Sequence, residues 1–188
     1  MKKPRFLCDV DGILADTVGA SIKFINEVTG QHLVESDIND FHLPKFIQDP
    51  RRQHLIDDEM NRQGFCLSIL PYSGSKHAVE LLKKLTDFYV VTAPFLTSEY
   101  WMHERMEWLA RNFPISKDRV NFVTHKSIVH GDFLLDDSDR NLHNWLEENP
   151  NGQALLWDRP WNQNPLHPRV RRVFGWPEVM SILIGPTS

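Results

Sequence analysis

The sequence predicts an α/β protein: a Rossmann-like parallel sheet with helices on both faces and a small helical cap inserted after the first strand. Three observations carry this. From residue 75 onward, short apolar or β-branched runs alternate with helix-period segments, the pattern of strands joined by crossover helices. The first apolar run, Phe6-Leu-Cys8, stops in a carboxylate-rich turn, Asp9-Val-Asp-Gly12. Between 31 and 70 the composition changes to His, Asp, Gln and Arg with scattered phenylalanines and no clear period-2 strand, so residues 17–72 read as a separate helical insertion.

Taken in order, Val18 to Val28 places apolar residues on one helical face, and Thr29-Gly30 suits its end. Pro44 and Pro50 break the next segment, with a helix expected over Arg51 to Gln63. Ser75 is expected to cap a helix running to Leu85, with Ala78, Leu81, Leu82 and Leu85 inward. Phe88-Tyr-Val-Val-Thr92 is a strand by its β-branched and aromatic content. Ser98 to Phe113 follows as a helix anchored by Trp101, Trp108 and Leu109. Arg119 to Val123 and Phe133 to Leu135 are short strands, Ser138 to Glu148 a helix stopped by Asn149-Pro-Asn-Gly152, and Gln153 to Trp157 a fifth strand. A last helix starts near Pro177, a residue suited to a first turn. The expected domains are a core of 1–16 with 73–188 and a cap of 17–72, seated over the carboxyl ends of the strands where open α/β sheets bind ligands.

A chain of 188 residues supports one substantial core with a small inserted subdomain. Its net charge of −4, both signs interspersed, argues against a nucleic-acid polymer as partner and leaves room for a small anionic substrate. No run approaches the ~20 apolar residues of a membrane span, and no apolar segment follows the basic start. Cys8 and Cys66 form no disulfide framework, and Cys8, inside the first strand, is expected as a buried thiol. These features give the expectation of a reduced, cytoplasmic protein. Oligomeric state stays open, a homodimer included.

Four strand ends carry chemistry. Asp9 and Asp11, two apart on a strand, point to one face and repel unless a positive charge joins them. Mg²⁺, which takes a few carboxylate oxygens plus water and phosphate, meets that need. Thr92 and Ala93 follow the second strand, where a hydroxyl and backbone N–H groups can hold phosphate oxygens. Lys126 follows the third strand and can neutralise phosphate and nucleophile together. Asp136 and Asp137 end an apolar strand, a costly placement unless they are solvated or bind metal. The nine histidines have no metal-ligand spacing.

Asp9-Val-Asp-Gly-Ile-Leu-Ala-Asp16, Val91-Thr-Ala-Pro94 and the block Lys126 to Asp137 resemble, in order and spacing, the motifs of the haloacid dehalogenase-like phosphatases, most closely the 5'(3')-deoxyribonucleotidases. The resemblance extends over about residues 5–180, including Trp157-Asp-Arg-Pro-Trp-Asn162 and Arg172-Val-Phe-Gly-Trp-Pro177 as the last strand and closing segment. It implies Asp9 as nucleophile and Asp11 as general acid/base. Mg²⁺ would be held by Asp9, the Asp11 carbonyl and Asp137, with Asp136 assisting. Thr92, the Ala93 N–H and Lys126 would hold the phosphate, and Arg105 is a further candidate phosphate contact, although an exposed helix arginine is the plainer expectation. The family pattern often has Ser where this chain has Ala93. Asp132 is expected to be structural. Asp16 and Thr17 could face the substrate, and Phe24, Phe41, Phe46 and Phe65 are the aromatics available in the cap to stack a base.

The reading is therefore a Mg²⁺-dependent phosphomonoester hydrolase acting on nucleoside monophosphates through an aspartyl-phosphate. A sugar phosphate or another small phosphomonoester would keep the chemistry and change the substrate. A non-catalytic phosphate- or nucleotide-binding module would not need the Asp9–Asp11 pair, and transfer to an acceptor other than water would use it differently.

Overall fold

The computed structural model describes residues 2–164 and 167–185. The ends of the expected core, residues 1 and 186–188, lie outside the described residues. Six parallel strands form one sheet in the order β3-β2-β1-β4-β5-β6. They are β1 (Arg5–Cys8), β2 (Asp87–Thr92), β3 (Val120–Phe122), β4 (Phe133–Asp136), β5 (Gln153–Trp157) and β6 (Val170–Val173). The helices are α1 (Thr17–Thr29), α2 (His54–Asn61), α3 (Phe65–Ser68), α4 (Ser75–Leu85), α5 (Trp101–Asn112), α6 (Asp139–Glu148) and α7 (Trp176–Ile184).

β1 is the central strand because it is buried on both faces: Phe6, Leu7 and Cys8 are at most 1% exposed. Phe6 and Cys8 face a core shared with Phe65, Val79, Leu82, Trp101, Trp108 and Val179. Leu7 faces the other layer with Leu134, Leu142, Trp145 and Leu156. Two layers of helix on a parallel sheet force both strand faces to be apolar, which is why the run does not alternate. The strand order reverses between β1 and β4, so the crevice at their carboxyl ends is the switch point where such sheets bind ligands.

Several elements differ in detail from expectation. Residues 51–63 are a 3₁₀ turn, Pro50–Arg52, followed by the shorter α2. Ser75 is the first helical residue of α4 and its hydroxyl donates back to the Tyr72 carbonyl, with Gly74 in the capping position. β6 is a strand that the pattern does not predict, since Val170-Arg-Arg-Val173 has no alternation. Both cysteines are buried free thiols. Asp132 is structural, its Oδ2 accepting the Arg5 N–H at 2.6 Å. Among the described residues no helix is long and apolar enough to cross a membrane.

The inserted segment leaves and rejoins the core side by side: the Asp16 N–H donates to the Leu70 carbonyl and the Tyr72 N–H to the Leu14 carbonyl. It has one small core of its own, around Ile25, Ile47 and Ile56, and a second cluster in which Ile22 and Ile38 pack against Trp161 from the core domain. Its last turn, α3, packs instead into the main core through Phe65 and Cys66. We propose residues 17–72 as the cap, with α3 as its anchor on α5.

Candidate active site

The site is built on the turn after β1. The Val10 carbonyl accepts from the Leu14 and Ala15 N–H groups, both at 2.8 Å, folding residues 10–15 into a tight loop. Gly12 is its pivot. Its φ of +73° lies in the left-handed region, and a Cβ there would fall inside the Asp137 carboxylate. The Arg159 guanidinium fixes the loop from outside, donating to the Gly12 carbonyl from Nε at 2.8 Å and Nη2 at 2.6 Å. The same arginine lies over the Tyr72 ring and reaches Glu35 Oε1 at 3.2 Å, joining core, linker and cap.

Asp9, Asp136 and Asp137 stand at the ends of β1 and β4, each buried, each offering a carboxylate oxygen within 4.8 Å of the others. Lys126 supplies the one ammonium among them, 2.8 Å from Asp9 Oδ1 and 2.6 Å from Asp136 Oδ2. Burial raises the Asp9 carboxyl to about 7, helped by Asp136 and Asp11 and opposed by Lys126. Burial likewise pushes Asp137 well up, reinforced by Asp136 and Asp9. Burial alone would lower the Lys126 ammonium, but Asp136 and Asp9 outweigh it and hold it above its ordinary value. Three carboxylates against one ammonium leave a shortage of positive charge lined by hard oxygen donors, a set that fits a divalent cation such as Mg²⁺.

The two members of the acidic pair differ in how they are engaged. Asp136 is saturated: besides Lys126 it accepts from the Ser138 N–H at 2.8 Å and from Asn141 Nδ2. On Asp137, Oδ2 accepts from Trp161 Nε1 at 2.9 Å, and its carbonyl accepts from Asn162 Nδ2. Thr92, at the end of β2, is fully buried with a hydroxyl that meets no partner among the described residues. Ala93, next in the chain, lines a cavity of 280 Å³ with Asp11, Gly12 and Asp137.

Phe41, Phe95, Trp101 and Trp161 also line that cavity. This changes the expected aromatic set. Only Phe41 of the four cap phenylalanines reaches the cavity; Phe65 is buried against Trp101, Phe46 packs inside the cap, and Phe24 lines a separate cleft beside α1. The core contributes the rest, which counting aromatics within the cap could not reveal. Asp16 caps α1, its Oδ1 accepting the Gly19 N–H at 2.9 Å, and Thr17 donates its hydroxyl to Asp11 Oδ1.

Arg105 departs most from expectation. It is not an exposed helix arginine but fully buried, and its Nη2 lies 2.6 Å from Asp11 Oδ1. The signal was present: 101, 105 and 108 share one helical face, so Arg105 sits in the same apolar stripe as the two tryptophans.

The parallel sheet, with a buried carboxylate at the end of its central strand and a lysine bridging to the neighbouring strand's acidic pair, has the fold of the haloacid dehalogenase-like hydrolases. Solved structures agree on the fold. A haloacid dehalogenase-like family hydrolase from Streptococcus pneumoniae superposes with a TM-score of 0.59 at 12% identity, covering 96% of this chain and 98% of its own. A HAD-superfamily hydrolase from Geobacter sulfurreducens gives 0.56 at 16% identity, covering 96% of each.

Over residues 3–186 the chain matches the family described as "5' nucleotidase, deoxy (Pyrimidine), cytosolic type C protein", and it belongs to that family. A Staphylococcus epidermidis relative is 30% identical over 185 residues, 95% of both chains. The 5'(3')-deoxyribonucleotidase of Bacillus subtilis is 29% identical over 174 residues, 91% of this chain and 93% of its own. The protein is a phosphomonoester hydrolase.

Proposed function

We propose that the protein is a Mg²⁺-dependent 5'(3')-deoxyribonucleotidase that hydrolyses nucleoside monophosphates through a phosphorylated Asp9. The observation that carries this is the placement of Asp9: a buried carboxylate held by Lys126 and grouped with Asp137, which, with Asp11, lines a cavity walled by aromatic rings.

Asp9 attacks phosphorus and the leaving nucleoside oxygen takes a proton from Asp11, giving an aspartyl-phosphate on Asp9. Asp11 then accepts a proton from the water that cleaves this intermediate. The unpartnered Thr92 hydroxyl, the Ala93 N–H and the Lys126 ammonium hold the phosphate oxygens. Asp9, the Asp11 carbonyl and Asp137 would hold Mg²⁺, and the saturated bonding of Asp136 favours its role as their support. When bound, the ion offsets the charge between carboxylate and phosphate. Phe41, Phe95, Trp101 and Trp161 offer a planar base its stacking surface. Arg105 is already engaged by Asp11, which speaks against the direct phosphate contact considered from sequence.

The test is phosphate release from a panel of nucleoside 5'- and 3'-monophosphates and sugar phosphates, with and without Mg²⁺, with Asp9→Asn as control. Mg²⁺-dependent preference for deoxynucleotides supports the reading. Release from sugar phosphates alone would remove the nucleotidase assignment and keep the chemistry.

A further inference from the structure

Arg105 is an expensive residue. Its side chain is wholly buried between the rings of Trp101 and Trp108, 4.9 and 5.2 Å from the guanidinium carbon. Nε and Nη1 meet no hydrogen-bond acceptor among the described residues. A guanidinium so placed loses its hydration for one ion pair and two ring faces, and buried pairs of this kind are often matched or bettered in stability by a hydrophobe of similar volume. Stability therefore does not explain why an arginine fills this slot.

The geometry at the other end does. Asp11 is one-third exposed and lines the cavity, yet Oδ1 accepts from two donors, Arg105 Nη2 and the Thr17 hydroxyl. One donor rises from the core helix α5, the other from the first residue of α1 at the root of the cap. Two donors on one oxygen fix the plane of the carboxyl group and leave Oδ2 as the oxygen that can carry a proton. We propose that Arg105, with Thr17, is a positioning residue for the acid/base carboxyl: it immobilises Oδ1 so that Oδ2 delivers a proton to the leaving oxygen as the P–O bond breaks, and takes one from water in the second half-reaction. This rests on the reading of Asp11 as acid/base.

A positioning role has a signature that a structural role lacks. An alkoxide leaving group needs the proton, whereas p-nitrophenolate departs without it. The kcat/KM values report the steps through leaving-group departure, so they isolate this demand. Arg105→Met, Arg105→Lys and Thr17→Val should each lower kcat/KM by about 10–100-fold for whichever nucleoside or sugar monophosphate the wild type turns over fastest, less than the roughly 10²–10⁴-fold contribution of the general acid itself, while p-nitrophenyl phosphate changes less than about threefold. Arg105→Met leaves Asp11, one-third exposed, to the Thr17 hydroxyl and water, so its melting temperature should stay close to that of the wild type. If it fails to fold, Arg105→Lys and Thr17→Val carry the test.

Asp11→Asn separates the two levels of inference. If it shows no difference between the two leaving groups, the acid/base reading falls and this proposal with it. If it discriminates between them but every folded Arg105 and Thr17 variant loses activity equally on both substrates, or on neither, the acid/base reading stands and the positioning role is overturned.

Discussion

Lys126 Nζ lies 2.8 Å from Asp9 Oδ1, in a pocket where the lysine side chain is 2% exposed and the aspartate 9%. The same ammonium spans to Asp136, so the ends of β1 and β4 are bridged by one side chain. Removing either end has different consequences. Asp9→Asn deletes a buried charge whose partner keeps Asp136, so the melting temperature should hold or rise while phosphate release falls to background. Lys126→Met strands two buried carboxylates, a loss of about 3–5 kcal/mol for breaking a buried pair. Parallel melting curves and turnover assays check both, and residual activity in folded Asp9→Asn would remove the nucleophile assignment.

Metal binding should be visible as a pH-dependent stabilisation. Asp9 and Asp137 have raised values in the folded protein, against about 4 when unfolded. Between those limits the folded state binds more protons than the unfolded one, so the metal-free protein loses stability as pH climbs from about 4 through the Asp9 value of about 7. A cation that binds the ionised carboxylates reverses this loss. The rise in melting temperature on adding Mg²⁺ should be larger at pH 8 than at pH 5.5, and smaller at both in Asp137→Asn. An equal shift at the two pH values would contradict the assignment.

What could be read from the chain before its structure follows from the range of the interactions. Asp9, Asp11, Thr92, Lys126 and the Asp136–Asp137 pair announce themselves because each sits at the end of a short strand or in the turn that follows it, within a few residues of a local run. Arg105 and Trp161 act on residues 94 and 24 positions away, and no periodicity encodes that pairing. β6 was hidden for another reason: a strand at the edge of the sheet keeps only Val170 and Val173 buried and fills the middle with arginines, one of them engaged with Asp158 and Asn162.

Gly12 should tolerate no side chain. Gly12→Ala carries a penalty of about 1–2 kcal/mol for its left-handed backbone, and the added methyl displaces the Asp137 carboxylate. The expected result is a modest drop in melting temperature with a much larger loss of Mg²⁺-induced stabilisation. A variant that melts lower yet responds to Mg²⁺ as the wild type does would show that the contact is not needed to place Asp137.

Trp161 joins the acidic cluster to the cavity wall, donating Nε1 to Asp137 while its ring stands edge-on to Phe41 at 6.3 Å. The two functions separate by substitution. Trp161→Phe keeps an aromatic face and deletes the donor; losing a hydrogen bond to a charged group costs about 1.5–3 kcal/mol, and partners that orient a metal ligand are worth about 10–100-fold in affinity. Its Mg²⁺ requirement should therefore rise by that factor with KM for nucleotide little changed. Phe41→Ala removes only the partner ring, which is half exposed and belongs to the proposed cap, so KM should rise several-fold at unaltered Mg²⁺ affinity. Titrations of Mg²⁺ by thermal shift, beside KM values at saturating Mg²⁺, distinguish the two. If Trp161→Phe raised KM alone, the indole would be a substrate wall and Asp137 would hold its position through Asn162 and the Gly12 turn.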